Sequence, residues 1–112
     1  MSRHNLEVPY GTLELLVLKT LDTMGAMHGY SIARRIERVS ERTMRLSQGA
    51  IYPALIRLEQ QGLINTTWGL SETNRKVKVY ALTAAGTWQL QVEAEKWSKA
   101  AALVARFMEA KP

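Results

Sequence analysis

The sequence predicts a mainly α-helical fold that carries a small β-hairpin, and three observations lead to this class. Apolar side chains recur at intervals of three and four through much of the chain, as one buried helix face requires. The period changes to two between residues 64 and 79, which is the alternation of a half-buried strand. The helical period then returns and continues almost to the C-terminal end, which predicts one long final helix.

The first half of the chain predicts three short helices. Residues 1–9 are polar and are predicted to be extended, which Pro9 favours. Thr12 is the predicted cap of a helix that runs from Leu13 to about Met24. A turn with glycine at both ends, residues 25–29, follows it, and a second helix is predicted from about Tyr30 to Ser40.

Ser47 is the predicted N-cap of the third helix, which should end near Gln61 because Gly62 is a typical C-terminal stop. Its apolar stripe is Ile51, Leu55 and Leu58. Pro53 lies inside this span, and proline removes a backbone hydrogen bond deep in a helix. We therefore expect Pro53 in the first turn or at a mild kink.

A hairpin and one long helix complete the chain. Strands are predicted at Ile64–Trp68 and Lys76–Val79, joined by a polar and basic loop at Gly69–Arg75. Thr83 is the predicted cap of a helix from Ala84 to about Met108. Its heptad-like seam predicts a dimer interface with a second copy of the chain. The seam comprises Leu90, Ala94, Trp97, Ala101, Val104 and Met108.

Composition disfavours an enzyme, a metal site or a bound cofactor. The chain has no cysteine, two histidines and a single aspartate, Asp22. A triad of Ser40 or Ser47 with His28 and Asp22 would have neither a nucleophile elbow nor an oxyanion hole in the sequence. The apolar runs are too short to span a membrane, and we expect a cytoplasmic protein.

The positive charge is concentrated in the middle of the chain. Residues 34–78 hold nine basic and four acidic side chains, so this window carries the whole formal net charge of +5. The remaining residues hold six of each sign. A basic field focused in this way predicts a polyanionic partner.

The order of elements is typical of a winged helix-turn-helix followed by a dimerisation helix. Double-stranded DNA is the expected partner, because an α-helix fits the major groove and its N-terminal half usually meets the bases. The third helix should turn Gly49, Tyr52 and Arg57 outward, and its free N-terminal amides suit a phosphate. The hairpin should bring further cations to the DNA backbone. These cations are Arg75, Lys76 and Lys78, and Arg34 and Arg45 are candidates for phosphate contact.

Several of these side chains also have a structural interpretation. Arg34 could belong to a solvated face with Glu37, Tyr52 borders the core stripe, and Arg57 could pair with an acid. His28 is expected to be structural rather than a metal ligand, and Trp68 is expected to pack under the hairpin. Trp97 lies in the predicted seam, where two symmetry-related indoles could hold a small aromatic effector.

Several motifs resemble those of the PadR family of transcriptional regulators over roughly residues 10–90. The matching segments are Gly11–Leu18, Met27–Ile32, Ser47–Leu55 with Arg57–Glu59, Gly62–Ile64, Asn74–Lys76 and Tyr80–Gly86. The Gly-x-x-Tyr-Pro-x-Leu element of residues 49–55 beside Arg-Leu-Glu is the most specific of them.

The resemblance implies a homodimeric repressor with a DNA-binding winged helix, residues 1–83, and a C-terminal dimerisation helix, residues 84–112. It implies DNA contacts from Ser47, Gln48, Tyr52 and Arg57 in the third helix and from Arg75 and Lys76 in the wing. It also implies a pseudo-palindromic operator and, at the dimer interface, a small aromatic effector. The single C-terminal helix resembles the short members of the family. A winged helix that binds protein instead of DNA is the alternative.

Overall fold

A computed structural model of the chain describes residues 11–112. The predicted extended segment, residues 1–9 with His4, lies outside the described residues. Seven elements follow in order: α1 (Thr12–Met24), β1 (Met27–His28), α2 (Gly29–Val39), α3 (Gln48–Gln60), β2 (Ile64–Leu70), β3 (Lys76–Leu82) and α4 (Ala84–Glu109). This is the predicted winged helix-turn-helix with a long C-terminal helix.

The core lies where α1, α2 and α3 pack against each other and against the sheet. Each helix contributes apolar side chains to it, including the predicted stripe of α3, and its largest fully buried side chains are Val17, Ile32, Ile51, Leu55, Leu58 and Ile64. Helix α1 begins one residue earlier than predicted, with Gly11 as its N-cap at φ 88° instead of Thr12. Helix α3 has the predicted N-cap, Ser47, and ends before Gly62, whose φ of 75° suits glycine.

Pro53 is the sixth residue of α3, so the prediction of a first-turn position is wrong. The helix nevertheless continues through it to Gln60. Proline cannot donate to the carbonyl four residues earlier, which belongs to Gly49, so this turn of α3 is held by the side chains around it. Ile51, Ala54 and Leu55, which flank Pro53, are all buried.

The hairpin is part of a three-stranded antiparallel sheet with the order β1-β3-β2. Strand β1 replaces part of the predicted turn: Met27 pairs with Tyr80, and His28 pairs with Val79. Two residues are too few to show an alternating pattern, and their partners lie far along the chain, so the sequence does not reveal this strand. Strands β2 and β3 also extend beyond their predicted ends, to Leu70 and Leu82.

Thr83 joins the end of the sheet to the start of α4. Its side-chain oxygen accepts a hydrogen bond from the Gly86 amide at 3.0 Å, which confirms the predicted cap, and it donates to the Gly62 carbonyl at 2.7 Å. The Thr83 amide donates to the Leu63 carbonyl at 3.1 Å. Gly86 is required at this junction, because a Cβ there would lie 2.0 Å from the same Leu63 oxygen.

Helix α4 divides into a part that packs on its own domain and a part that extends away from it. Leu90 is 6% exposed and belongs to the core of its own chain, so its predicted place in an intermolecular seam is wrong. The α4 helix passes α1 there, and the register turns Leu90 inward. The later seam positions Trp97, Val104 and Met108 are exposed. The longest dimension of the molecule is 61 Å.

Candidate nucleic-acid interface

A cleft of about 660 Å³ lies between the N-terminal half of α3 and the β2–β3 hairpin, which we call the wing. Five of the sequence-predicted DNA contacts line it, although they come from distant parts of the chain. They are Gln48, Tyr52, Arg75, Lys76 and Lys78. The cleft therefore brings together a helix N-terminus, polar side chains and three cations.

The N-terminus of α3 forms one wall of the cleft and is open to solvent. Ser47, Gln48 and Gly49 are all exposed, and the Ser47 carbonyl accepts the amides of Ala50 and Ile51 at 3.0 Å. The first amides of a helix have no partner within it and carry the positive end of its dipole. This end of α3 is therefore suited to a phosphate oxygen, with the Gln48 amide group beside it.

Tyr52 stands between the cleft and the core. It is half-buried and packs against the core cluster, as its angular distance from the Ile51 stripe predicts. A Cβ on Gly29 would lie 3.0 Å from the Tyr52 ring, so glycine at the start of α2 lets this ring lie close to the backbone. Tyr80 is buried at the floor of the cleft. Burial raises the pKa of the Tyr80 phenol, and Tyr52 and Glu59 act in the same direction.

The wing forms the other wall, and its turn is closed by hydrogen bonds. The Ser71 amide donates to the Arg75 carbonyl at 2.9 Å, and the Arg75 amide donates to Ser71 Oγ at 3.1 Å. Asn74 takes the left-handed conformation that the turn requires, with φ 65°. The backbone of Arg75 and Lys76 is thus fixed at the mouth of the cleft.

Trp68 is exposed on the cleft side of the wing, so the prediction that it packs beneath the hairpin is wrong. The side chain is 61% exposed, and Lys76 Nζ lies 5.0 Å from its ring centroid. Thr66, two residues earlier in β2, donates to Glu59 of α3 at 3.0 Å, so β2 contacts the helices there, whereas Trp68 is left exposed. Sequence reasoning missed Trp68 as a lining residue; its alternation with Thr66 and Leu70 was the available signal.

Arg34 and Arg45 lie outside this cleft, in a second depression of about 430 Å³ formed by α2 and the loop that follows it. Arg34 donates to the Tyr30 hydroxyl at 3.0 Å, and Tyr30 itself lines the cleft. Glu37 accepts the Leu46 amide at 2.8 Å and lies 3.6 Å from Arg34. Arg34 therefore lies beside the cleft while Glu37 compensates part of its charge.

Arg57 is separated from the other predicted contacts. Its Nε and Nη2 atoms lie 2.6 and 2.5 Å from Oε2 of Glu14 in α1, which is the ion pair that the sequence left open as an alternative. The side chain faces a depression lined also by Gln89 and Glu93 of α4. At 100° per residue, Arg57 is turned about 180° around α3 from Gln48, so one helix cannot present both side chains to the same groove.

His28 lines the cleft and has structural partners. Its Nε2 atom lies 3.0 Å from Ser31 Oγ, and its ring stacks on Tyr30 at 6.4 Å between centroids. Across residues 11–112, no group of three acidic or histidine side chains could hold a metal ion. The helices in this same part of the chain include none long and apolar enough to cross a membrane.

A second surface, the apolar face of α4, lies away from the cleft. Trp97, Val104 and Met108 are exposed and form this face, because they lie within about 40° of each other around the helix. Trp88, Leu103 and Phe107 are also exposed but lie on other sides of α4. Trp97 lies beside Thr12 and Leu15 of α1 in a shallow depression. An apolar groove of about 500 Å³ separates α1 from the end of α2, with Leu16, Ile36 and Val39 among its lining residues.

Comparison with known proteins identifies relatives over most of the chain. Residues 17–92 match the sequence model of the transcriptional regulator PadR-like family. A 37.1 kDa protein in a transposon of Streptomyces fradiae is 38% identical over 86 residues, which are 77% of this chain and 23% of that protein. The chain thus spans about a quarter of the length of that curated relative.

Solved structures with the same fold come from several bacteria. A PadR-like transcriptional regulator from Bacillus cereus is similar with a TM-score of 0.77 and 26% identity, covering 90% of this chain and 95% of that one. A PadR family transcription regulator from Clostridium difficile is similar with a TM-score of 0.75 and 28% identity, covering 88% of this chain and 99% of that one. A transcriptional regulator from Clostridium thermocellum is similar with a TM-score of 0.79 and 24% identity, covering 88% of this chain and 92% of that one. At that identity the similarity supports the fold alone.

Proposed function

The chain belongs to the PadR-like family of transcriptional regulators, and we propose that it acts as a homodimeric repressor that binds a pseudo-palindromic DNA operator. Members of this family regulate transcription and are not enzymes. We further propose that it acts in the cytoplasm and that its release from DNA responds to a small aromatic effector.

The cleft between α3 and the wing carries the proposal. It combines an exposed helix N-terminus with Gln48 and, on the opposite wall, Arg75, Lys76 and Lys78. An α-helix entering the major groove would place Gln48 near base edges, where an amide can read adenine in a bidentate manner. The wing cations would then contact neighbouring phosphates, which fix register without reading sequence.

The remaining predicted contacts have supporting roles in this proposal. Ser47 and Gly49 expose the amides of the α3 N-terminus to a phosphate, and the Tyr52 hydroxyl is a positioning contact at the floor of the cleft. Arg34 and Arg45 would contact phosphates beside the groove. We do not assign a DNA contact to Arg57, because Glu14 engages its guanidinium on another side of α3.

The exposed apolar face of α4 supports the homodimer. Soluble chains rarely expose a contiguous row of large apolar side chains unless another molecule covers it. On a two-fold dimer, Ala94, Trp97, Ala101, Val104 and Met108 would be buried between copies, and Leu90 would remain in the core of its own domain. Two α3 helices would then face two half-sites about one helical turn apart.

The effector proposal rests on Trp97. Its indole is exposed in the single chain and lies beside α1, on the face that a partner copy would cover. Two symmetry-related indoles would make an apolar slot for a flat ligand. Titration of Trp97 fluorescence with a planar aromatic probe, against the Trp97→Leu variant, tests this assignment.

Selection of bound duplexes from a random DNA pool tests the function directly. At about 150 mM salt, weak non-specific binding is already suppressed. We expect enrichment of an inverted repeat, with Gln48→Ala relaxing the preference at one position and Lys76→Ala weakening all sequences alike. A folded dimer that enriches no sequence would favour the alternative, a winged helix that binds protein.

A further inference from the structure

The cleft side of the wing combines exposed apolar and cationic side chains in register. Trp68 lies opposite Lys78, and Leu70 lies opposite Lys76, so the antiparallel pairing turns all four to the same side of the hairpin. Trp68 and Leu70 are 61% and 69% exposed. A surface built only to attract phosphates would need the lysines alone, so the apolar pair calls for a separate explanation.

We propose that Trp68 contacts DNA directly, packing its indole ring against the deoxyribose rings of the backbone that the wing cations approach. The inference rests on the proposed function and adds to it an uncharged contact. Trp68 lines the same cleft as Gln48 and Tyr52, so a duplex seated on α3 would lie against the indole. Sugar rings present C–H surface between the phosphates, which is the surface an aromatic face can cover.

The position of Lys76 beside the Trp68 ring supports this geometry. Its ammonium lies 5.0 Å from the Trp68 centroid, within the range of a cation–π interaction, and this holds the long side chain near the cleft. More than half of the indole still faces solvent. The pair thus offers a cation for a phosphate and an aromatic face for the adjoining sugar at one point on the wing.

A purely structural role for Trp68 gives a different expectation. If the indole only positions Lys76, its loss should have the same consequence as loss of the lysine. The two cases differ in the salt dependence of binding. Each phosphate contact contributes about one unit to the slope of log K against log salt, whereas burial of apolar area contributes nothing to that slope.

The experiment measures the affinity of the intact protein for a fluorescein-labelled duplex of mixed sequence, about three helical turns long, at several salt concentrations. We expect Trp68→Ala to bind about tenfold more weakly with the wild-type slope, because a tryptophan buries a large apolar area. Trp68→Phe should lose less affinity for the duplex than Trp68→Ala. Lys76→Ala should lower the slope by about one. Thr67→Ala, on the opposite face of β2, is the matched control and should bind like wild type.

Each outcome decides the matter. The Trp68 contact is overturned if Trp68→Ala lowers the slope of log K against log salt as much as Lys76→Ala does, or if Trp68→Ala binds as tightly as wild type. In either case, DNA binding by the wild type still supports the proposed function. If the wild-type protein fails to bind the duplex at every salt concentration tested, both the Trp68 contact and the proposed function are overturned. A second readout is tryptophan fluorescence: the duplex should quench the wild type more strongly than Trp68→Phe, and equal quenching would overturn the contact.

Discussion

Replacing Arg57 with alanine should destabilise the protein and leave its reading of DNA unchanged. Arg57 links α3 to α1 through two contacts, at 2.6 and 2.5 Å, with the same carboxylate oxygen of Glu14. The position of Arg57 in a motif shared with DNA-binding regulators favours a base contact, whereas the geometry favours an interhelical bond. The variant therefore separates a structural role from a reading role.

The expected magnitude follows from exposure. Exposed ion pairs contribute at most about 1 kcal/mol, whereas hydrogen bonds to charged groups contribute about 1.5–3 kcal/mol when solvent is excluded. Arg57 is 40% exposed and Glu14 is 17% exposed, so the pair lies between these cases. We expect Arg57→Ala to lower the free energy of unfolding by about 1.5 kcal/mol, a fall in Tm of about 6 °C for a domain of this size.

Thermal unfolding at one fixed protomer concentration measures this loss, because dimerisation makes Tm depend on concentration. A double-mutant cycle with Glu14→Gln should give a coupling of about 1 kcal/mol. Lys19→Ala is the matched control. Lys19 Nζ lies 3.7 Å from Asp22 Oδ2, and the two side chains are 66% and 41% exposed, so this substitution should change the free energy of unfolding by no more than about 0.5 kcal/mol.

DNA binding supplies the refuting result. Below its unfolding temperature, Arg57→Ala should bind a selected duplex within about twofold of wild type, whereas a lost base contact would cost about 1–3 kcal/mol. A variant with unchanged Tm and a relaxed sequence preference would show that Arg57 leaves Glu14 to read a base. The interhelical assignment would then be wrong.

Three further predictions concern stability and assembly. Burial raises the pKa of Tyr80, so above pH about 10 this side chain ionises in the unfolded chain before it does in the folded one, and the free energy of unfolding falls. In urea titrations Tyr80→Phe should be as stable as wild type below that pH and more stable than wild type above it. Gly86→Ala should cost about 3 kcal/mol by thermal unfolding because its Cβ would meet the Leu63 oxygen, whereas Gly49, where a Cβ would make only an ordinary contact with Ser47 Oγ at 3.6 Å, should accept alanine with little loss. Val104→Glu should shift sedimentation towards the monomer, since Val104 is exposed on the proposed dimer face, and unchanged sedimentation would contradict that face.

The candidate site was predictable where it depended on local pattern. The stripe of α3, its N-cap Ser47 and its glycine stop are read within one helix, and the cations of the wing follow from an alternating strand. These signals identify Gln48 at the start of α3 and Lys76 and Lys78 on the wing, and the packing of the helix against the hairpin brings them together in the cleft.

Other features depend on contacts between residues far apart in sequence. The pairing of Met27 with Tyr80 makes β1, and a segment of two residues has no period of its own. Trp68 is 61% exposed, and whether another element covers it depends on tertiary packing that no local pattern specifies. The partner of Arg57 lies 43 residues away in α1.

The sequence by itself determined the order of elements, the concentration of positive charge and the family, because periodicity, caps and motifs act over a few neighbouring residues. Only the tertiary structure decided which faces meet. Leu90 is buried in the core of its own chain, Arg57 pairs with Glu14, and Trp68 is exposed beside the cleft. The physical reason is that a small rotation or extension of an element changes the neighbours of every side chain on it while leaving its sequence pattern the same.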